Sequence, residues 1–160
     1  MLSGLRHAAA LAAFAALALT IAGIGRAAEH ESLYTRMGGR PVVTAFISDT
    51  IDRVVADPRT NPPFQGVNTR RIKQGLVQFV CQLADGGCKY TGDSLREAHA
   101  NLHISEVQFD RMVEILRDEM QRHHVRLRER NQLLALLAPM KRDTVNVKIP
   151  PPPRTHPDAY

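Results

Sequence analysis

Apolar residues recur at helical spacing along most of the chain. Val43, Ile47, Ile51 and Val54 follow one another at intervals of four, four and three residues, which places them on one face of an α-helix. Three later segments carry similar stripes: Ile72, Leu76, Phe79, Val80 and Leu83; Phe109, Met112, Val113, Leu116 and Met120; and Leu133, Leu136, Leu137 and Met140. No segment alternates apolar and polar residues as a half-buried strand would. The pattern predicts an all-α fold in which several amphipathic helices surround one core.

Capping residues, glycines and prolines mark where these helices begin and end. Ser32 can cap a short first turn, and Pro41 suits the first position of the second helix because an N–H there would be unpaired. We expect Asn68 or Thr69 to cap the third helix. Helix ends or breaks are expected at Asp57–Pro58, Pro62–Phe64, Gly86–Gly87 and His123–His124.

Two capping boxes are visible in the second half of the chain. Ser94 and Glu97 have the spacing at which each side chain pairs with the other residue's backbone N–H, and Ser105 and Gln108 repeat this spacing. The first box opens a short helix that contains His99. The second opens the helix with the Phe109 stripe.

The first 28 residues have the layout of a cleavable signal. A basic start is followed by an apolar run from Ala8 to Ile24 and by small residues up to Ala28, which suit signal-peptidase cleavage. The run is slightly shorter than the roughly 20 residues that span a bilayer. We predict a signal peptide over residues 1–28 and export to the periplasm. Retention of the segment as an N-terminal membrane anchor is the alternative, and only then would the protein contact a membrane.

The rest of the chain divides into one globular domain, residues 29–147, and a proline-rich tail, residues 148–160. Four successive prolines in the tail favour an extended conformation, so we expect it to be disordered. Removing residues 1–28 takes away Arg6 and Arg26 and no acid, which lowers the formal charge from +5 to +3. The remaining basic residues are interleaved with acids and the chain has no Trp, so nucleic-acid binding is not expected.

Histidines are the candidate metal ligands of the predicted domain. His123 and His124 end a helix, where an imidazole usually serves as a polar terminus. His99 lies between two alanines, whose small side chains would let a flat group approach closely. His103 follows four residues later on the same helical face, so His99 and His103 could also hold a metal ion together.

Four motifs occur in one order along the chain: LYTRMGG from Leu33, VADPR from Val55, YTG from Tyr90 and REAH from Arg96. Together they resemble the group I truncated haemoglobins. The likeness continues through Phe109–Asp110 and through Leu136 to Met140, so it covers nearly all of residues 33–145. Each motif alone is weak, but the ordered set is specific.

The resemblance implies a shortened globin fold, with two helices packed across two others and haem b between them. His99 matches the proximal histidine of the family, whose neutral imidazole is the iron ligand. Phe64 matches an aromatic residue on the haem face, and Phe79, Met112 and Val113 are expected as further pocket walls. Covalent attachment of the haem is not expected, because the chain has no Cys-x-x-Cys-His sequence.

The chain departs from the family pattern on the side where gases bind. Many relatives carry a tyrosine on the second helix and often a glutamine on the third, where this chain has Ile51 and Leu76, and Ile72 is apolar as well. We therefore expect no side-chain hydrogen-bond donor beside a bound gas. His103 stands where relatives usually have glycine; we expect a surface residue there, with a second ligand role as the alternative.

The expected function is reversible binding of a diatomic gas (O2, NO or CO) at haem iron, as a carrier, sensor or scavenger. Nitric oxide dioxygenation would require an external reductase, because the chain has neither a flavin fingerprint nor a second domain. The alternative is a helical interaction or metal-binding module that holds no haem and uses His99 and His103.

The two cysteines bracket the glycine pair that ends the third helix. Cys81 and Cys88 are seven residues apart, and export would place them where disulfides persist. We predict that they form a disulfide. Two free thiols are the alternative, since the spacing does not fix the distance between the two β-carbons.

Overall fold

The computed structural model describes residues 31–147, and the predicted signal peptide and proline-rich tail lie outside them. The helices are α1 (Leu33–Arg36), α2 (Gly39–Ala56), α3 (Thr69–Leu83), α4 (Leu95–His99), α5 (Glu106–Arg122), α6 (Leu127–Leu137) and α7 (Lys141–Thr144). Short 3-10 turns cover Pro62–Phe64 and Ala138–Met140. In this part of the chain β-pairing is limited to a single isolated bridge between Ser105 and Val147. The predicted all-α fold class is confirmed.

The predicted caps account for the starts of α1, α3, α4 and α5. The Ser32 hydroxyl accepts from the Thr35 N–H at 3.2 Å, and the Asn68 side chain accepts from the Arg71 N–H at 3.3 Å. Both capping boxes form, at the start of α4 and at the start of α5. Each cap satisfies N–H groups that have no partner inside the helix. Among residues 31–147, no helix is long and apolar enough to cross a membrane.

Two expectations about the helices were wrong in detail. The second helix begins at Gly39, so Pro41 occupies its third position and not its first. This position tolerates proline because the first four N–H groups of a helix have no intrahelical partner. Leu136 was expected on the buried face with Leu133, but it is 40% exposed. A three-residue step turns a side chain roughly 60° short of a full turn, which is enough to bring Leu136 to the surface.

The core is built around α2. Its predicted stripe of Val43, Ile47, Ile51 and Val54 is buried throughout. α2 packs against α3 and α5, while α1 packs against α2 and α6, and α5 against α6. Fully buried side chains from three of these helices, Phe46, Met120 and Leu133, lie in the same apolar cluster. These contacts fix the relative positions of the helices without help from α4.

The end of α3 is held by a tight turn and by a disulfide. Gly86 passes so close to the Tyr34 ring and the Cys81 sulfur that a β-carbon on it would lie 2.6 and 2.7 Å from them. Cys81 and Cys88 are bonded, with their Cα atoms 5.6 Å apart. The predicted pairing is therefore present. It fixes the start of the segment that leads from α3 to α4.

A buried carboxylate ties α6 to α1. Glu129 is 1% exposed, and it accepts from Arg126 at 2.9 and 3.1 Å and lies 3.4 Å from the Arg36 guanidinium. Burial raises the pKa of Glu129, but its own backbone N–H and the Arg126 guanidinium outweigh that effect. The pKa of Glu129 consequently lies below its ordinary value.

The disulfide should contribute measurably to stability. The Cys88→Ser substitution removes the bond at its exposed end, and we expect it to lower the free energy of unfolding by roughly 2 to 3 kcal/mol for so short a loop. Chemical denaturation of the two proteins measures this difference. The intact mass of alkylated, unreduced protein provides the check, since two alkylated thiols would contradict the pairing.

The Glu129 ion pairs should make stability depend on pH. A depressed folded-state pKa contributes stability above the unfolded-state pKa, and this contribution is lost as the pH falls through the folded-state value. Glu129→Gln should therefore lower the melting temperature clearly at pH 7, and the gap from the parent protein should shrink as the pH falls below 4.5. The same substitution at the exposed Glu114 is the control. A gap that is equal at pH 7 and at acid pH would assign the effect to packing instead of charge.

Candidate functional site

A cavity of about 980 Å³ lies among α2, α3, α4 and α5. Helices α2 and α3 contribute Ile51, Val54, Ile72, Leu76 and Phe79 to its lining. The chain from α4 into α5 contributes Leu95, Ala98, His99, Leu102, Ile104, Gln108, Phe109 and Met112. The volume is at the upper end of the roughly 300–1,000 Å³ typical of ligand and cofactor sites. The walls are mainly apolar, so the cavity suits a large apolar group.

Seven of the eight site residues expected from the sequence line this cavity: His99, Phe64, Phe79, Met112, Ile51, Ile72 and Leu76. Val113, the eighth, is half-buried and lies outside the lining. It follows Met112 by one position, which turns its side chain about 100° around α5. Met112 therefore lines the cavity, whereas Val113 does not.

The His99 imidazole has a defined orientation and a free nitrogen. Its Nδ1 lies 2.7 Å from the carbonyl oxygen of Leu95, one turn earlier. A carbonyl oxygen can only accept, so Nδ1 carries the proton and Nε2 keeps its lone pair. Among the described residues, His99 is the histidine that lines the cavity. It can thus present a neutral imidazole nitrogen to a metal inside the cavity.

Helix α4, which carries His99, is fixed at its start by its capping box. The Ser94 hydroxyl and backbone N–H both donate to the Glu97 carboxylate, at 2.6 and 3.0 Å. These two hydrogen bonds hold the pKa of Glu97 below its ordinary value. The box therefore stays intact at neutral pH.

The other end of α4 is held by residues from the end of the domain. The Asn146 side-chain amide donates to the carbonyl oxygens of His99 and Ala100, at 2.7 and 3.2 Å. Arg96 donates to the Asp143 carboxylate. Both partners lie more than 40 residues away in sequence, so they could not be predicted from local spacing.

The other histidines of residues 31–147 do not line the cavity. His103 is exposed, has a left-handed backbone with φ of 52°, and is not part of the lining. The structure therefore gives no support to a joint site for His99 and His103. It agrees instead with the expectation of a surface residue at His103.

A second cluster, between α2 and α5, is an ion-pair network. Ligating atoms of Asp49, Glu119 and His123 lie within 4.8 Å of one another. However, Glu119 accepts from Arg53 at 2.6 Å and from Arg122 at 3.2 Å, and His123 donates to Asp49 at 2.8 Å. Two guanidinium groups beside the carboxylate would repel a cation.

One part of the α2–α3 wall is apolar, whereas Arg71, Gln74 and Gln78 line the cavity from another part of α3. Ile51, Ile72 and Leu76 are apolar, as expected. The buried Thr60 hydroxyl also lines the cavity, but it donates to the Val54 carbonyl oxygen at 2.6 Å. Because that proton is already used, the part of the wall around Ile51, Ile72 and Leu76 lacks a side-chain donor for a small ligand.

Several residues that line the cavity were not predicted from the sequence. Tyr90 and the next three residues line the cavity, and the Tyr90 ring meets Phe79 edge-on with centroids 5.4 Å apart. The Tyr90 N–H donates to Gln82 at 2.7 Å. Arg71 and Gly75 of α3 also belong to the lining. The YTG motif indicated that Tyr90 and its neighbours matter, whereas nothing in the sequence indicated that Arg71 and Gly75 would line the cavity.

The chain matches known globins in sequence and in structure. The profile of the bacterial-like globin family matches residues 32–146. The group 1 truncated haemoglobin of Mycolicibacterium paratuberculosis is 28% identical over 115 residues, which cover 72% of this chain and 85% of that protein. The group 1 truncated haemoglobin of Nostoc commune is 27% identical over 89 residues, covering 56% and 75% respectively.

Solved structures show the same architecture. The truncated haemoglobin of Tetrahymena pyriformis in its Fe(III) form superimposes with a TM-score of 0.69 at 20% identity, covering 73% of this chain and 100% of that one. The 2/2 haemoglobin of Synechococcus sp., in the cyanomet state with covalently attached haem, gives a TM-score of 0.68 at 25% identity with the same coverage. The chain therefore belongs to the bacterial-like globin family, as a group I truncated globin.

Proposed function

We propose that this globin binds haem b in the cavity, with His99 as the iron ligand, and that the iron reversibly binds a diatomic gas. The observation that carries the proposal is the His99 imidazole, whose Nδ1 is held by the Leu95 carbonyl oxygen while Nε2 remains free. The hydrogen bond fixes the tautomer and increases the basicity of the ligating nitrogen. Haem supplies the iron at which O2, NO or CO binds.

The cavity fits a haem in three respects. Its volume is about 980 Å³ and its walls are mainly apolar, which suits the porphyrin ring. The lining contains an imidazole with an available lone pair. In addition, a β-carbon at Gly75, which belongs to the lining, would meet nothing within 4 Å. The protein itself leaves that position open, as close approach of a flat group requires.

The chain's own residues define what kind of gas site this would be. Ile51, Ile72 and Leu76 exclude water from the gas-binding side but offer no hydrogen bond to a ligand. Phe64 and Phe79 pack beside the ring. The gas would therefore be held mainly by its bond to the iron, as in a carrier, sensor or scavenger with rapid exchange.

Catalytic turnover and location belong to the same proposal. Nitric oxide dioxygenation by this globin would depend on an external reductase, since the ferrous state must be regenerated. The signal-like segment over residues 1–28 supports export to the periplasm, with membrane anchoring by that segment as the alternative. The intact mass that tests the disulfide also reports whether this segment has been removed.

Replacing His99 should remove most of the haem. Purified His99→Gly should show a weak or shifted Soret band and less than one iron per chain, because no other histidine of residues 31–147 lines the cavity. Added imidazole should partly restore the band by occupying the vacated position. His123→Ala is the control and should retain the parent spectrum. Loss of haem in His103→Ala, with retention in His99→Gly, would show that the ligand has been misassigned.

The ferrous protein should release dioxygen quickly. Dioxygen gains partial negative charge at ferrous iron, whereas carbon monoxide gains little, so only dioxygen is strongly held by a nearby donor. A hydrogen bond to a charged acceptor contributes roughly 1.5 to 3 kcal/mol. Its absence should speed dioxygen release about ten- to a hundredfold relative to a globin with a tyrosine in the pocket.

Ile51→Tyr tests this directly, because Ile51 is buried in the α2 wall of the cavity. Stopped-flow measurement should show slower dioxygen release from the variant, with little change for carbon monoxide. Ile51→Phe controls for the larger ring without the hydroxyl. Slow release from the parent protein would mean that another group donates to the ligand.

A further inference from the structure

The carboxyl end of α4 is capped by a residue from a distant segment. The last four carbonyl groups of a helix have no intrahelical partner, and α4 has only five residues. Its C-cap residue is Ala100, so no glycine closes the helix. The Asn146 side-chain amide instead donates to the carbonyl oxygens of His99 and Ala100, at 2.7 and 3.2 Å. One amide group thus holds the backbone of the residue that carries the proposed iron ligand.

Asn146 is itself fixed by the chain around it. Its backbone N–H and that of Val147 both donate to the Ile104 carbonyl oxygen, at 3.0 and 3.1 Å. Lys141, at the start of α7, pairs with two carboxylates of α5, at 2.6 and 2.9 Å. Helix α5 also contributes buried side chains to the apolar core. Residues 141–147 are therefore attached to the core of the domain, and through Asn146 they attach α4 to it as well.

Few other contacts fix the position of α4 in the domain. In the described part of the chain, α4 packs mainly against α7. The Arg96–Asp143 ion pair joins the same two helices, but Arg96 is 76% exposed, and exposed pairs contribute little. The capping box of Ser94 and Glu97 lies at the start of α4 itself and cannot fix where the helix lies. The hydrogen bonds from Asn146 are therefore the main polar attachment of α4.

We propose that Asn146 is a positioning residue, whose two hydrogen bonds set the strength of the bond between His99 and the haem iron. The His99 ring is bonded to the Leu95 carbonyl oxygen of the same helix, so the ring and α4 move together. The position of α4 therefore determines how closely Nε2 of His99 approaches the iron. This inference rests on the proposed function, because it concerns the iron–ligand bond on which that function depends.

Substitutions of Asn146 can separate positioning from packing. Asn146 is exposed, so water can replace its hydrogen bonds, and overall stability should change little. Water is not attached to residues 141–147, however, and cannot hold α4 in one place. An aspartate has the same shape as asparagine, but when ionised it cannot donate and it repels the two carbonyl oxygens. Asn146→Asp should therefore disturb His99 more than Asn146→Ala does, which is the reverse of the order that lost packing would give.

Resonance Raman spectroscopy of the haem-loaded ferrous protein measures the iron–histidine bond directly. The iron–histidine stretching band should move to lower frequency in Asn146→Ala and further in Asn146→Asp, because an unattached α4 lets the imidazole drift from the iron. Nitric oxide weakens the bond opposite to it, so it should detach the histidine in a larger fraction of both variants than of the parent protein. The same substitutions at Asn131, an exposed residue of α6 outside the cavity lining, are the control and should change neither signal.

Hydrogen exchange of the haem-loaded protein provides a readout that does not depend on the iron spectrum. The amides of α4 should exchange about tenfold faster in Asn146→Ala than in the parent protein, as the net loss of about one hydrogen bond allows. The amides of α2 and α6 should keep the parent rate. An equal increase in all helices would overturn the inference, since the substitution would then act on the whole fold.

Other outcomes of the Raman experiment distinguish this inference from the proposed function. Asp143→Asn, which removes the charge that faces Arg96, should shift the band less than Asn146→Ala; a larger shift would assign the positioning to that ion pair. A larger effect of Asn146→Ala than of Asn146→Asp would overturn the inference in favour of packing. A haem-loaded parent whose band is the same in both Asn146 variants would overturn only the present inference. Failure of the parent chain to bind one haem through His99 would overturn the proposed function itself.

Discussion

The apolar faces of α3, α4 and α5 turn toward a shared cavity, and this constraint shapes the rest of the structure. Leu76, Phe79, Phe109 and Met112 line a space of about 980 Å³ and are only half-buried. Side chains of this kind contribute fully to stability only when another apolar surface covers them. A bound porphyrin would provide that surface. A bound porphyrin would therefore be a structural element of this half of the domain as well as its reactive centre.

A second, ligand-independent core supports the cavity from behind. Phe46, Met120 and Leu133 are completely buried between α2, α5 and α6, so these helices are fixed by their own packing. By contrast, α4 has only five residues, too few to persist as an isolated helix in water. It depends on its capping box, on Asn146 and on the Arg96–Asp143 ion pair. These contacts hold His99 in place on a helix that could not position it alone.

The two sides of the cavity carry different chemical groups. One side supplies an oriented imidazole, and the other supplies an apolar wall in which the Thr60 proton is already donated to Val54. Polar groups are concentrated on the α3 face at Arg71 and in the segment around Asp93. Such a distribution suits a cofactor with an apolar body, one coordinated metal and one charged edge.

The sequence by itself determined the features that depend on residues close together in the chain. Helical spacing, the Ser94–Glu97 and Ser105–Gln108 boxes and the placement of His99 in a capped helix all involve steps of three or four residues. The Cys81–Cys88 pair spans one turn at a glycine. Such local interactions are the same in any fold that contains the helices, which is why their positions were predicted correctly.

Only the tertiary structure decided the features that depend on distant segments or on rotation about a helix axis. It placed Val113 outside the cavity and Leu136 at the surface, because a helical period does not resolve differences of tens of degrees. It buried Glu129 against Arg36, about ninety residues earlier. It also brought Asn146 to the carbonyl oxygen of His99 and turned Arg71 and Gly75 toward the cavity. Each of these outcomes follows from how helices pack, and packing distances are not encoded in the spacing of residues along one helix.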